Sequence, residues 1–537
     1  MRSLLKNLLS SQSTGGRTQA EAVLLAMLGG ILMGLTTAPV SAWLLGWIAL
    51  VPLWILVVSP PKQQYQSPRL WLSRPLALSL AWGMGYHGLA VFWITGIHPM
   101  TWMGVPWLAS LAIAFFCWSF LTLWGAALVA VWGGGMALAC RTAKLSGWAR
   151  VLIGVALWCG LEAFWSAGAL WWTSLSYTQS PLNLAILHLG QLSGSNAVTA
   201  ALVAVNGFVA EGWINHKDTK TRRKWKYFGI AAGLWVSLHA IGFGLYSRPL
   251  IQPADAALKV GIIQGNVPNE IKLYPDGLRQ AIEGYANGYR SLAVRGVDAV
   301  LTPEGALPFF QSELMRSDFF WAVREKGVVA WIGAFGERGR SYTNSLFTLT
   351  GNGEIFSRYD KVNLVPIGEY IPFEQFLGSI VKRLSPLDEH QVPGSPNQVF
   401  DTPFGRAIVG ICYDSAFSQH FRRQAAAGGQ FILTASNNAH YSKAMPAQHH
   451  AQDVMRAIET DRWAVRATNT GYSGIVDPHG RTVWISGINT YEIHAATIYR
   501  RQTQTLYVRW GDWLTPILLL CAGISWFLFQ SLINISK

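Results

Sequence analysis

The sequence is dominated by long apolar runs that carry almost no charge. Between Pro75 and Cys140, for example, there is no Asp, Glu, Lys or Arg. A run of about 18 or more such residues is long enough to cross the hydrocarbon core of a bilayer as a helix. The pattern therefore predicts eight membrane spans, near residues 21–38, 40–59, 75–97, 105–139, 148–166, 184–211, 227–246 and 513–533.

The run at 105–139 is long enough for one helix or for two short ones, and the flanking charges decide between them. Basic residues follow the second, fourth and sixth runs, whereas the loops after the first, third and fifth runs carry no Lys or Arg. Because basic loops stay in the cytoplasm, this alternation favours a cytoplasmic N-terminus and a single crossing by 105–139. Seven spans then place the residues after Tyr246 outside the cytoplasm, and the eighth span returns the short tail.

The pattern changes after the seventh run, because charged residues appear regularly from about Leu258 to Ala496. Strands are predicted at 258–263, 299–302, 328–333, 345–349, 431–434 and 473–476, and a helix at 449–462. A region of about 240 residues fits one mixed α/β domain. We therefore predict a cytoplasmic N-terminus (1–20), a seven-span membrane domain (21–246), an extracytoplasmic α/β domain (247–500), and an eighth span with a short cytoplasmic tail (501–537).

Composition agrees with a membrane protein that carries an α/β domain. Of the 537 residues 51% are hydrophobic and only 13% are charged, whereas soluble proteins carry about 25% charged residues. The net charge of +14 does not indicate a nucleic-acid partner, because much of the basic excess lies in short loops between spans. The five cysteines are scattered and give no disulfide or zinc pattern. No metal or organic cofactor is predicted.

Three apolar runs of the α/β domain end at side chains suited to catalysis. Glu304 follows one run, Lys361 and Glu369 follow a second, and Cys412 ends the run 406–411. Taken alone, a cysteine is more typical of a buried structural thiol, and a lysine near an acid is more typical of a surface ion pair. Sites in α/β sheets assemble at the carboxyl ends of strands, so we expect these side chains to meet.

Taken together, these segments resemble the nitrilase superfamily, whose hallmark is a Glu-Lys-Cys triad in this order. With many spans before the domain and one after it, the chain is similar to the membrane-embedded branch of that superfamily, the apolipoprotein N-acyltransferases. The most specific segments are Gln264-Gly-Asn-Val-Pro268, Pro303-Glu304, 361–372, Cys412-Tyr413 and Arg466-Ala-Thr-Asn-Thr-Gly471. The resemblance implies an α-β-β-α sandwich beside a polytopic α-helical membrane domain.

The resemblance also implies the roles of the site residues. Glu304 would be the general base, Lys361 the cation that stabilises the oxyanion, and Cys412 the nucleophile, with Glu369 and Tyr413 in accessory positions. A carboxylate can take the thiol proton, and an ammonium stabilises both the thiolate and the tetrahedral intermediate.

Three departures from the family pattern leave this triad intact. Asp414 stands where relatives often carry Glu, Leu273 stands where Trp is common, and the segment 437–441, which includes His440, differs from the usual Asn-Asp-x-Trp-Phe. These departures bear on the lining of the acyl pocket, and so on which donor and chain length it prefers.

Two apolar stretches near the triad are candidates for contact with acyl chains. Phe373, Phe376 and Leu377 begin one apolar helical face that continues to Leu384, and Phe309 and Phe310 end a stretch that follows Glu304. One hypothesis is that both are arms that dip into the outer leaflet and guide lipid to Cys412. The alternative is ordinary core packing.

Within the membrane region, Glu162 lies near the outer end of the fifth run. A carboxylate inside a membrane is by default a functional candidate. At a helix end it is equally consistent with simple access to water.

The resemblance implies a phospholipid acyl donor, a Cys412 thioester, and transfer to the N-terminal amine of an S-diacylglyceryl-cysteine apolipoprotein during lipoprotein maturation. The expected location is the bacterial inner membrane, with the catalytic domain on the periplasmic side. Two alternatives stay open at this point. One is a membrane-tethered hydrolase of the nitrilase or amidase type, and the other is a transporter or receptor with a binding module. The many spans disfavour the first, and the scarcity of intramembrane charge disfavours the second.

Overall fold

The structure is a computed structural model that describes residues 15–59, 70–215, 221–366, 368–370 and 391–535. The chain divides into two compact units. The first takes its described residues from 1–95, 112–247 and 512–537, and the second takes them from 96–111 and 248–511.

The first unit is helical. Four of its helices are long and apolar enough to cross a membrane: Trp107–Thr142, Gly147–Ser166, Ser195–Ile214 and the Trp225–Tyr246 part of the helix that begins at Thr221. Shorter apolar helical stretches lie at Gln19–Gly34, Trp43–Val58, Leu184–Ser193 and Leu514–Gln530. The helices are α1 (Gly15–Gly34), α2 (Val51–Val58), α3 (Leu70–Ala90), α4 (Trp107–Thr142), α5 (Gly147–Ser166), α6 (Leu184–Leu187), α7 (Gly190–Ser193), α8 (Ser195–Ile214), α9 (Thr221–Tyr246) and a C-terminal helix (Leu514–Ile535).

The single helix α4 agrees with the expectation that 105–139 crosses once, but the prediction of eight continuous spans is not confirmed. The run 40–59 is broken between a short 3-10 helix, Trp43–Trp47, and α2. The break is stabilised from a distance, because the Asn206 side chain accepts from the Leu50 N–H at 3.0 Å and donates to the Gly46 carbonyl at 2.9 Å. A polar side chain thus replaces the helical hydrogen bonds that the apolar pattern alone predicts.

The run 184–211 is also broken, into α6, α7 and α8. Gly194 separates α7 from α8 with a φ of 73°, a conformation that glycine adopts without steric cost. Apolar character alone does not distinguish such a broken segment from one long helix.

The second unit contains two six-stranded mixed sheets. The strands are β1 (Ala257–Gln264), β2 (Ala299–Leu301), β3 (Val329–Arg338), β4 (Ser341–Leu349), β5 (Ile355–Asp360), β6 (Phe400–Thr402), β7 (Gly405–Ile411), β8 (Phe431–Ser436), β9 (Ala464–Thr468), β10 (Gly474–Val476), β11 (Thr482–Ile485) and β12 (Glu492–Tyr499). The sheet orders are β12-β1-β2-β3-β4-β5 and β11-β10-β9-β8-β7-β6. The predicted strands are present, and several of them are longer than predicted.

Four layers result from the way the sheets bury their apolar faces. A core cluster that includes Val260, Trp331, Val409 and Leu433 draws on strands of both sheets, which places the sheets face to face. A second cluster packs helices against the outer face of the first sheet. The α-helices of the second unit are α10 (Asn269–Lys272), α11 (Pro275–Val294), α12 (Gln311–Leu314), α13 (Asp318–Lys326), α14 (Ser418–Ala426), α15 (Ala444–Thr460) and α16 (Leu506–Trp510). With α14 and α15 against the second sheet, this is the predicted α-β-β-α sandwich.

Parallel pairing in each sheet determines where the polar side chains emerge. The strands β1, β2 and β3 are parallel neighbours, and so are β7, β8 and β9. Their carboxyl ends therefore lie along one edge of each sheet. Glu304 follows β2, Cys412 follows β7, and Asn437 follows β8.

Candidate active site

The structure brings Glu304, Lys361 and Glu369 into one buried ionic cluster. The Lys361 ammonium donates to Glu304 Oε1 at 2.9 Å and to Glu369 Oε1 at 2.6 Å. The Lys361 side chain is only 1% exposed. Lys361 immediately follows β5, and its own N–H is held by the Asn344 carbonyl at 2.8 Å, so the backbone is fixed at the point where the side chain enters the site.

Two further groups hold the Glu304 carboxylate. The Asn344 side chain donates to Oε1 at 2.7 Å, and the Asn437 N–H donates to Oε2 at 2.9 Å. The Cys412 sulfur is 4.0 Å from the carbonyl of the same Asn437, and the thiol and the Glu304 carboxylate affect each other's pKa. The predicted base therefore pairs with the predicted cation and lies close to the predicted nucleophile.

The two carboxylates that share Lys361 differ in their proton affinity. Burial alone would raise the pKa of Glu304, but the charge and hydrogen bond of Lys361 outweigh burial and lower this pKa below its usual value. Burial raises the pKa of Glu369, and the charge of Glu304 raises it further, against the opposing effect of Lys361. Although burial opposes its charge, Lys361 has a pKa well above the usual value because both carboxylates are adjacent.

Cys412 occupies a strained position at the end of β7. Its φ is 51°, a left-handed conformation that costs a residue other than glycine about 1–3 kcal/mol. The His449 ring holds the Cys412 carbonyl through Nε2 at 2.8 Å. Burial, followed by the charge of Glu304, raises the pKa of the Cys412 thiol. The thiol is therefore protonated at rest, and it requires a base within hydrogen-bonding distance.

Asp414 supports the same turn rather than lining a pocket. Its carboxylate accepts from the Ile411 N–H at 3.0 Å and from the Asn363 N–H at 2.8 Å. These bonds connect the segment after Cys412 to the segment after Lys361. The neighbouring Tyr413 is half-buried, and its ring packs edge-on against Phe417.

The predicted lipid-contact residues are only partly described. Phe309 packs against the core cluster on the outer face of the first sheet, and Phe310 lies in an aromatic group with Phe335 and Tyr342. Phe373, Phe376 and Leu377 lie outside the described residues. Contact of any of these side chains with an acyl chain stays a prediction.

Sequence reasoning missed four groups that contribute to the site: Asn344, Asn437, His449 and Lys272. Asn344 lies inside β4, so no local pattern marks it. Asn437 does follow the apolar run 431–436 directly, the same strand-end signal that identified Cys412.

This arrangement can perform acyl-group chemistry through a covalent intermediate. The thiol can give its proton to Glu304, and Lys361 is placed to stabilise negative charge that develops beside the sulfur. Among the described residues no cluster of His, Cys, Asp or Glu could hold a metal ion.

Comparison with protein families gives two matches that together cover most of the chain. Residues 259–507 match the carbon-nitrogen hydrolase family, and residues 29–208 match the apolipoprotein N-acyltransferase N-terminal domain. The first match spans β1 to the start of α16, and so includes every residue of the ionic cluster.

Full-length relatives give the same result. An apolipoprotein N-acyltransferase from Nostoc sp. is 66% identical over 92% of this chain and 97% of its own length. One from Synechocystis sp. is 48% identical over 92% of this chain and 98% of its own length. Among solved structures, the crystal structure of an amidase from Nesterenkonia sp. is 18% identical, with a TM-score of 0.36 over 48% of this chain and 95% of that chain.

Proposed function

The chain belongs to the apolipoprotein N-acyltransferase family, and from this premise we propose that Cys412 carries the acyl group as a thioester between a phospholipid donor and a lipoprotein acceptor. The acceptor is the N-terminal amine of an S-diacylglyceryl-cysteine apolipoprotein. The observation that carries the proposal is the buried pairing of Lys361 with Glu304, with Asn437 contacting both Glu304 and the Cys412 sulfur.

In the first half-reaction the Cys412 sulfur attacks the acyl carbonyl of the donor while its proton passes to Glu304. Lys361 stabilises the resulting oxyanion. When the tetrahedral intermediate collapses, the bond to the lysophospholipid oxygen breaks and that oxygen takes the proton back from Glu304. Because the pKa of Glu304 is lowered by Lys361, the carboxylate starts each cycle ionised and able to accept a proton.

In the second half-reaction the acceptor amine attacks the thioester. One amine proton passes through Glu304 to the departing Cys412 sulfur, and an amide forms. The thioester retains enough free energy to acylate nitrogen, so the main competitor is water. A transferase therefore has to exclude water until the amine arrives.

We place the catalytic unit on the periplasmic side of the inner membrane and assign eight spans to the chain. The alternation of basic and uncharged loops supports this orientation. Four helices meet the length and hydropathy needed for a span, and α1, the broken segment at 43–58, α3 and the C-terminal helix would supply the other four crossings. Reporter fusions after Tyr246 and after Arg150 should report opposite sides of the membrane, and equal signals would contradict this topology.

Mass spectrometry of the intact protein tests the thioester directly. After incubation with phospholipid vesicles, the protein should gain the mass of one acyl chain at Cys412, and a diacylated lipopeptide should remove it as a triacylated product. Cys412→Ala should show no adduct. Release of free fatty acid without triacylated product would instead indicate a hydrolase.

A further inference from the structure

A second lysine, Lys272, lies beside the ionic cluster and has no part in the mechanism above. It ends the short helix α10, and its ammonium is 3.4 Å from the backbone carbonyl of Glu304. A Cβ added at Gly305 would lie 3.5 Å from the same ammonium. Lys272 is therefore at the same edge of the sheet as the triad, on the side where β2 ends.

The charge of Lys272 is not balanced in the way that the charge of Lys361 is. Lys361 contacts two carboxylates, whereas within the described residues Lys272 has no carboxylate within 4.0 Å. Burial lowers the pKa of Lys272 to about 8, even though the charge of Glu304 favours its protonated form. A partly buried ammonium without a counter-ion is costly, and an anionic ligand would remove that cost.

The neighbours of Lys272 form a polar corner that suits an anion. The Asn269 side chain, in the same short helix, donates to the His440 ring at 2.8 Å and accepts from the Asn437 side chain at 3.1 Å. The His440 ring stacks at 14° on Trp102, which belongs to the same compact unit. Glu304 is paired with Lys361, and Glu270 is exposed to solvent. The positive charge of Lys272 is therefore available to an anionic ligand.

We propose that Lys272 binds the phosphodiester of the donor phospholipid while the acyl ester of that lipid lies against Cys412. This inference rests on the proposed function. A glycerol unit of three carbons separates the ester from the phosphate. One lipid can therefore place its ester at Cys412 and its phosphate at Lys272 at the same time. Lysine binds phosphate as a point charge. The acceptor presents an amine, which this charge does not attract, so Lys272 favours the donor in the first half-reaction.

The test compares two acyl donors in a single-turnover assay of Cys412 acylation. One donor is phosphatidylglycerol in detergent micelles, and the other is p-nitrophenyl palmitate, which is neutral and has no phosphate. Lys272→Gln should slow acylation by phosphatidylglycerol about 10- to 100-fold, the range expected for one charge-assisted contact, and should leave acylation by the nitrophenyl ester within about twofold. Lys272→Arg should retain most of the rate with both donors.

Arg340→Gln, in the exposed turn between β3 and β4, is the matched control for loss of one positive charge and should behave like the wild type. Equal loss with both donors in Lys272→Gln would overturn the inference, because Lys272 would then act on Glu304 rather than on phosphate. If the wild type gave no Cys412 adduct with either donor, the proposed function itself would fail.

A second measurement uses the wild-type protein and does not depend on the folding of a variant. sn-Glycerol 3-phosphate should slow alkylation of Cys412 by iodoacetamide, whereas glycerol at the same concentration should not. Protection by free phosphate compounds together with unchanged phospholipid acylation in Lys272→Gln would show a site for soluble phosphate, and would contradict the lipid assignment.

Discussion

Two buried glutamates, Glu162 in the helical unit and Glu304 in the sandwich unit, are stabilised in different ways. In the helical unit Glu162 is 3% exposed and accepts hydrogen bonds from four neutral donors. These are the Trp158 indole at 3.2 Å, the Ser174 hydroxyl at 2.9 Å, the Leu175 N–H at 2.8 Å and the Thr199 hydroxyl at 2.9 Å. No Lys or Arg lies within 4.0 Å of it in the described part of the chain. In the sandwich unit, Glu304 is instead held by Lys361, the Asn344 side chain and the Asn437 N–H.

The contrast fits a structural role for Glu162 and the catalytic role proposed for Glu304. The four donors of Glu162 connect α5 to the segment at Ser174 and Leu175 and to α8. Glu162 is 3% exposed, which does not support simple access to water. In the proposed mechanism Glu304 takes the proton of the Cys412 thiol. The same isosteric substitution, Glu to Gln, should therefore have a large effect on acylation at Glu304 and a small one at Glu162.

The largest effect is expected for Glu304→Gln. An amide cannot take the thiol proton, and burial raises the pKa of Cys412, so the thiol should stay protonated in this variant. Acylation of Cys412 should fall by about 100- to 10,000-fold, the usual contribution of a general base. Single-turnover mass spectrometry measures this rate, and the exposed Glu283→Gln is the control.

The pH dependence of the wild type tests the same assignment. Lys361 lowers the pKa of Glu304 below its usual value of 4.5, so the carboxylate stays ionised as pH falls to that value. The acid limb of the acylation rate should therefore lie below pH 4.5. An acid limb near pH 6 would indicate that a different group supplies the base.

Lys361→Met should have the next largest effect, because it leaves two carboxylates facing each other without a cation. Loss of one partner from a buried ion pair costs about 3–5 kcal/mol of stability, and loss of an oxyanion-stabilising donor costs about 100- to 1,000-fold in rate. Thermal unfolding in detergent and the acylation assay measure the two effects. Lys326→Met, which breaks a surface pair with Glu325, should change neither by much.

The positions of Glu304 and Cys412 were predictable because each directly follows a buried strand with parallel neighbours, β2 in the first sheet and β7 in the second. Lys361 follows the partly exposed edge strand β5, so its prediction depended on the family resemblance. The groups that orient them were not predictable in the same way. Asn344 reaches Glu304 from within β4 and His449 reaches the Cys412 carbonyl from α15, and such partners depend on tertiary packing rather than on local periodicity.

The helical unit is a second case in which tertiary contacts determine a feature that the local sequence pattern does not predict. Hydropathy predicted where apolar segments lie, and α4 and α5 closely follow the predicted runs. It did not predict the breaks near Leu50 and Gly194, because the first depends on Asn206 in a distant helix and the second on a single glycine conformation. Apolar composition reports where a segment can reside, whereas its continuity is determined by hydrogen bonds between segments.

A smaller effect is expected for Glu369→Gln. Glu369 shares Lys361 with Glu304 and also accepts from the Val365 N–H at 2.7 Å, but it makes no described contact with Cys412. Gln can keep one of these two hydrogen bonds, and the ion pair of Lys361 with Glu304 remains. Acylation should fall only about 3- to 10-fold, in line with loss of one hydrogen bond to a charged group. A loss as large as that of Glu304→Gln would mean that Glu369 takes part in proton transfer.

The smallest effect is expected for Glu162→Gln. Its Oε1 position can still accept from Trp158 and Leu175, and the hydroxyls of Ser174 and Thr199 can rotate to accept from the new amide. Stability should change by about 1 kcal/mol or less, and acylation should stay within about twofold of the wild type. Glu162→Leu is the contrasting variant. It leaves buried donors unsatisfied, at about 1–3 kcal/mol each, so its thermal unfolding temperature should fall clearly. If Glu162→Gln instead reduced acylation as severely as Glu304→Gln, the division between a structural and a reactive buried carboxylate would be wrong.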